Sequence, residues 1–130
     1  MATHEVLNQA PPLVGYDPLA RDQALREALA REGAGWAEDD VRELGSVTTS
    51  AEAQLWAVQA NENPPRLRTH DRFGNRIDEV EFHPSWHELM RLSVAHGLHA
   101  SPWRDPRPGA HVARRGTVWK LRWQAGRVDV

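Results

Sequence analysis

Cysteine is absent from this 130-residue chain, which excludes disulfide staples and thiolate chemistry. Phenylalanine and tyrosine are scarce, two and one respectively, so they cannot supply most of a core. No apolar run reaches the length of about 18 residues that reads as a membrane-spanning helix. Met1-Ala2-Thr3-His4-Glu5 lacks the basic patch and apolar stretch of a secretory leader, so a cytoplasmic location is the default expectation. Lysine is nearly missing: Lys120 stands alone among 16 basic residues, a skew that fits a GC-rich genome better than a function.

Tryptophan makes up the difference. Six indoles, at positions 36, 56, 86, 103, 119 and 123, carry most of the large apolar surface of a chain that is 40% hydrophobic. One domain of this size buries about two-thirds of its unfolded surface. Charge is unevenly spread. Residues 1–65 hold 4 basic and 11 acidic side chains, and residues 66–130 hold 12 and 7. The basic half allows an anionic partner, although a solvated tail explains it equally well.

Residues 1–16, with Pro11-Pro12 and Gly15, read as an extended arm. Asp17-Pro18 predicts a helix start, with Asp22 as an alternative cap. Leu25, Ala28 and Leu29 form its stripe, and Gly33 and Gly35 end it. A second helix runs from Glu38 to about Leu44, before Gly45. Thr49 with Glu52 predicts a capping box for a third helix, with Leu55, Trp56 and Val58 as its apolar side and Pro64-Pro65 as its stop. Alternation around Asp71–Asn75 predicts a β-hairpin at about 66–82. Ile77 is out of phase with Val80 and Phe82, which places a bulge near Asp78-Glu79. Pro84 opens a fourth helix through Trp86, Leu89, Met90 and Val94, closed by Gly97. Residues 101–109 read as irregular, and a helix begins within Gly109–Arg115.

His83 and His87, four apart, could share a helix face as zinc ligands do. His83, however, precedes Pro84, and His96 falls on the opposite side of the helix, so structural or surface roles are favoured. Asp78, Glu79 and Glu81 cluster on the hairpin, but a solvated face is favoured over an acid–base pair. The run Arg114 to Trp123 mixes bases with indoles, a composition that can bind nucleic acid; a basic chain end is the simpler reading. Trp86 reads as packing and Trp36 as a clamp between the first two helices.

Several blocks together carry a family resemblance. They are Thr3-His4-Glu5-Val6-Leu7-Asn8-Gln9, Pro11-Pro12-Leu13, Arg31-Glu32-Gly33-Ala34-Gly35-Trp36, Ala60-Asn61-Glu62-Asn63-Pro64-Pro65, Phe82-His83-Pro84-Ser85-Trp86-His87 and Gly109-Ala110-His111-Val112-Ala113-Arg114. In this order and spacing they resemble the start of the acyl-CoA-dehydrogenase-like flavoproteins of the adaptive response to DNA alkylation (AidB-like). The residue pattern gives a mainly α fold with one β-hairpin inserted between the third and fourth helices, and the resemblance implies that it is the helical N-terminal domain of acyl-CoA-dehydrogenase type. The resemblance also implies a parent protein with a middle β-domain and a C-terminal helical bundle. Such proteins bind FAD, assemble as homo-oligomers, associate with DNA through their C-terminal part and have weak acyl-CoA dehydrogenase activity.

Their flavin and catalytic positions lie downstream, so no catalytic, cofactor-binding or metal residue carries over to this chain, and none of its own FAD is expected. The resemblance fades after Arg114, which suggests a frameshifted or prematurely ended gene. The expected organisation is an arm over 1–16, a helical domain over 17–114 and a divergent basic tail over 115–130. Expected partners are a second copy or the missing downstream domains, with no membrane, and nucleic acid is not favoured. The alternatives are a stand-alone protein-interaction module, and a small nucleic-acid binder acting through residues 115–130.

Overall fold

The computed structural model describes residues 7–114, so the basic tail lies outside the described residues. Two acidic caps divide the first expected helix in two. The Asp17 carboxylate accepts from the Leu19 and Ala20 N–H groups at 2.9 and 3.1 Å, opening α1 (Pro18–Arg21). Asp22 accepts from Leu25 N–H at 2.9 Å and opens α2 (Gln23–Arg31). The sequence offered these caps as alternatives. Both are used because Asp22 itself is non-helical, at φ −105° and ψ 86°. At the end of α2, Gly33 N–H bonds Ala30 O and Ala34 N–H bonds Leu29 O at 2.7 Å, the reciprocal pair of a Schellman turn.

A short 3-10 turn, Gly35–Ala37, leads into α3 (Glu38–Thr48). Its first turn holds Glu38, Asp39 and Asp40, favourably placed for the positive end of the helix dipole. Gly45 does not end this helix, as the sequence suggested. It is a contact point: a Cβ there would lie 2.8 Å from Pro18 Cγ. A glycine inside a helix costs about 1 kcal/mol against alanine, and the close approach of α1 is what offsets it.

The cap of α4 (Ala51–Glu62) is Ser50, whose Oγ accepts from Ala53 N–H at 3.1 Å. The expected capping box at Thr49 and Glu52 therefore does not form. Thr49 is fully buried, with its hydroxyl 3.0 Å from the carbonyls of both Tyr16 and Gly45. The inner face of α4 also differs from expectation. Ala53, Ala57 and Ala60 are buried, whereas Leu55 and Val58 are exposed. The alanines let α4 and α5 approach closely, and Trp86 Nε1 donates to Ala60 O at 3.1 Å across that seam.

Strands β1 (Arg66–His70) and β2 (Arg76–Glu81) pair antiparallel, with Leu67 opposite Val80 and Arg68 opposite Glu79. The next pair is His70 with Arg76, so β2 holds one extra residue. The expected bulge is thus present, with Asp78 at φ +45°. The Asp71 carboxylate ties the turn by accepting from the N–H groups of Phe73 and Asn75 at 2.8 and 2.9 Å. Every strand residue is exposed.

Helix α5 (Pro84–Ala95) follows. It buries Ser85, Leu89 and Leu92, while Met90 and Val94, expected on its inner side, face outward. Part of the segment read as irregular forms α6 (Ser101–Arg104), and residues 110–114 begin another helix.

Two small cores result. One joins Leu19, Leu29, Ala34, Ala37 and Val41 to Ala113. The other joins Leu44 to Leu92 and Leu98. The first core depends on residue 109. Gly109 sits at φ +75°, and a Cβ would fall 2.5 Å from Ala34 Cβ and 2.7 Å from Glu32 O. Gly109→Ala is expected to destabilise by about 3 kcal/mol, the sum of left-handed strain and overpacking. Gly15→Ala, at φ +67° with nothing within 4 Å, costs about 1 kcal/mol. Urea melts of the two variants check the difference.

Candidate functional site

One concavity among the described residues is a groove of about 340 Å³ lined by Gly15, Tyr16, Asp17, Arg42, Ser46 and Thr49. It forms where the arm meets α1 and α3: Gly15 N–H bonds Thr49 O at 2.9 Å and Gln54 Nε2 bonds Leu13 O at 2.8 Å. Arg42, its one lining cation, is held by Asp17 and, at 3.0 Å, by Glu38. Burial raises the Asp17 carboxyl, but the Ala20 N–H, the Arg42 charge and the Leu19 N–H outweigh it and hold it below its ordinary 3.8. Ser46 Oγ donates to Glu43 O at 2.7 Å. The polar groups of the groove are thus largely engaged with one another. No nucleophile faces a base there, and its cation is already neutralised.

The sequence-singled residues lie elsewhere. His83 is the cap of α5: its Nδ1 is 2.7 Å from Ser85 Oγ and accepts from Ser85 N–H at 3.3 Å. His87 lies outward on α5 against the Phe82 ring, at 6.1 Å, and His96 is the helix's C-terminal cap. Among the described residues no three His, Asp or Glu side chains gather as metal binding requires. On the hairpin, Asp78 pairs with Arg76 at 2.7 Å, while Glu81 and Glu79 lie 2.7 and 3.8 Å from Arg68. These carboxylates are exposed and ion-paired.

Trp36 sits in the turn after α2, and its partners lie in a distant loop. Its Nε1 donates to Pro108 O at 3.0 Å, and the Arg107 guanidinium sits 4.7 Å from the ring centroid. The indole therefore locks the loop before Gly109 onto the Gly33–Trp36 turn. Trp86 is half-buried, with Phe82 against it at 5.8 Å. Arg114 Nε donates to Leu98 O at 2.6 Å, and its guanidinium is 5.5 Å from the Trp103 centroid. The rest of the Arg114 to Trp123 run lies outside the described residues. Sequence reasoning missed Arg42, whose only signal was its four-residue spacing from Glu38, and Arg107 and Pro108, which carried none.

No helix among the described residues is long and apolar enough to cross a membrane. What remains distinctive is open apolar surface: Leu55 and Val58 on α4, Leu67 and Val80 on the hairpin, Phe82, and Met90 and Val94 on α5.

Comparison with known proteins gives this surface a context. Residues 8–125 match the model of the adaptive response protein AidB N-terminal domain, running past Arg114, where the motif blocks end. The chain is 43% identical over 113 residues to the putative acyl-CoA dehydrogenase AidB of Escherichia coli K12, which covers 86% of this chain and 21% of that protein. Among solved structures, the Bd2924 apo-form superimposes with a TM-score of 0.78 at 21% identity, covering 90% of this chain and 24% of the other. Caenorhabditis elegans ACDH-11 in complex with C11-CoA also gives 0.78, at 20% identity, covering 98% and 23%. The fold is therefore the helical, hairpin-bearing type found in these proteins, and the chain spans only about a quarter or less of the relatives it matches.

Asp17 provides the pH test. Its folded pKa is depressed, so its charge contributes stability that is present above pH 3.8 and lost as pH falls through the folded value. Asp17→Asn, which retains an N-capping side chain, should lower stability at pH 7 by under about 1 kcal/mol, because the pair is partly exposed and screened. The gap to the wild type should close as pH drops below 3.8. Denaturant melts at pH 7 and pH 3 check both parts.

Proposed function

The chain belongs to the family of adaptive response protein AidB N-terminal domains, and on that premise we propose that it is a non-catalytic packing and assembly domain. The parent would be a longer acyl-CoA-dehydrogenase-like flavoprotein of the cytoplasmic response to DNA alkylation. The family match over residues 8–125 carries the reading. The open apolar surface on α4, α5 and the hairpin supports the packing role, since a soluble monomer rarely leaves so many large apolar side chains open.

FAD is the cofactor that the acyl-CoA dehydrogenase relationship implies, and it would supply the hydride-accepting chemistry of the parent protein. The described residues do not fit it. A dinucleotide needs free backbone N–H groups or cations for its pyrophosphate. The groove beside Gly15 offers Arg42, which two carboxylates already hold. Its volume of about 340 Å³ is at the low end of ligand pockets. On this reading flavin, acyl substrate and DNA contacts belong to further chain of the longer protein, and the domain over residues 17–114 is scaffolding.

The purified 130-residue chain should show no flavin absorbance and release no FAD on denaturation. Stoichiometric FAD would overturn the reading. In a chimera, this chain replaces the matched segment of the Escherichia coli relative. The chimera should hold flavin as that relative does, and a folded chimera without flavin would count equally against the proposal.

A further inference from the structure

We draw no further inference here: the strongest candidate, the exposed apolar patch that Met90 and Val94 form on the outward side of α5, carries none because nothing in the structure shows what covers it.

Discussion

The approach of Gly109 to the Ala34 turn is the contact on which the rest of the domain depends. A methyl group at residue 109 would collide with Ala34 Cβ and with the Glu32 carbonyl, and only a residue tolerant of φ +75° can sit there. The Trp36 to Pro108 hydrogen bond and the Arg107 guanidinium on the indole hold the two loops together. With that closure in place, Ala113 enters the same core as Leu19, Leu29 and Val41. The domain thus joins its two ends, and the core of α1 to α3 is completed by residues more than 70 positions later.

Asp17 is the second economy. One carboxylate caps α1 through two backbone N–H groups and holds Arg42 of α3. Gly45 lets Pro18 lie directly against that helix. The arm then lies across the end of α3, anchored by the buried hydroxyl and carbonyl of Thr49. Polar groups at this junction are used for structure, which is why a groove with an arginine in it offers no free charge to a ligand.

The far side of the molecule has a different character. The seam between α4 and α5 is made of alanines, which approach closely but bury little area, and the larger Leu55, Val58, Met90 and Val94 face outward. The pair thus keeps its small residues at the seam and its larger apolar side chains at the surface. On the function proposed above, that surplus is packing surface within a larger protein.

The elements themselves were readable in the residues. Caps at Asp17 and Asp22, prolines at 18, 64 and 84 and the alternation about Asp71–Asn75 act locally, within a turn or a strand pair, so they placed the helices, the hairpin and its bulge. The blocks from Arg31-Glu32-Gly33-Ala34-Gly35-Trp36 to Phe82-His83-Pro84-Ser85-Trp86-His87 identified the family without structure. What periodicity could not decide was which apolar side of α4 and α5 faces the domain. Both helices carry apolar residues around much of their circumference, and a stripe of alanine competes poorly with Leu55 or Met90 when hydrophobicity alone is weighed. Tertiary packing chose the small residues because they permit the closest approach of the two axes. It likewise kept Gly45 inside a helix and moved the α4 cap from Thr49 to Ser50, since Pro18 and the Tyr16 carbonyl, distant in sequence, occupy the space that local rules leave free.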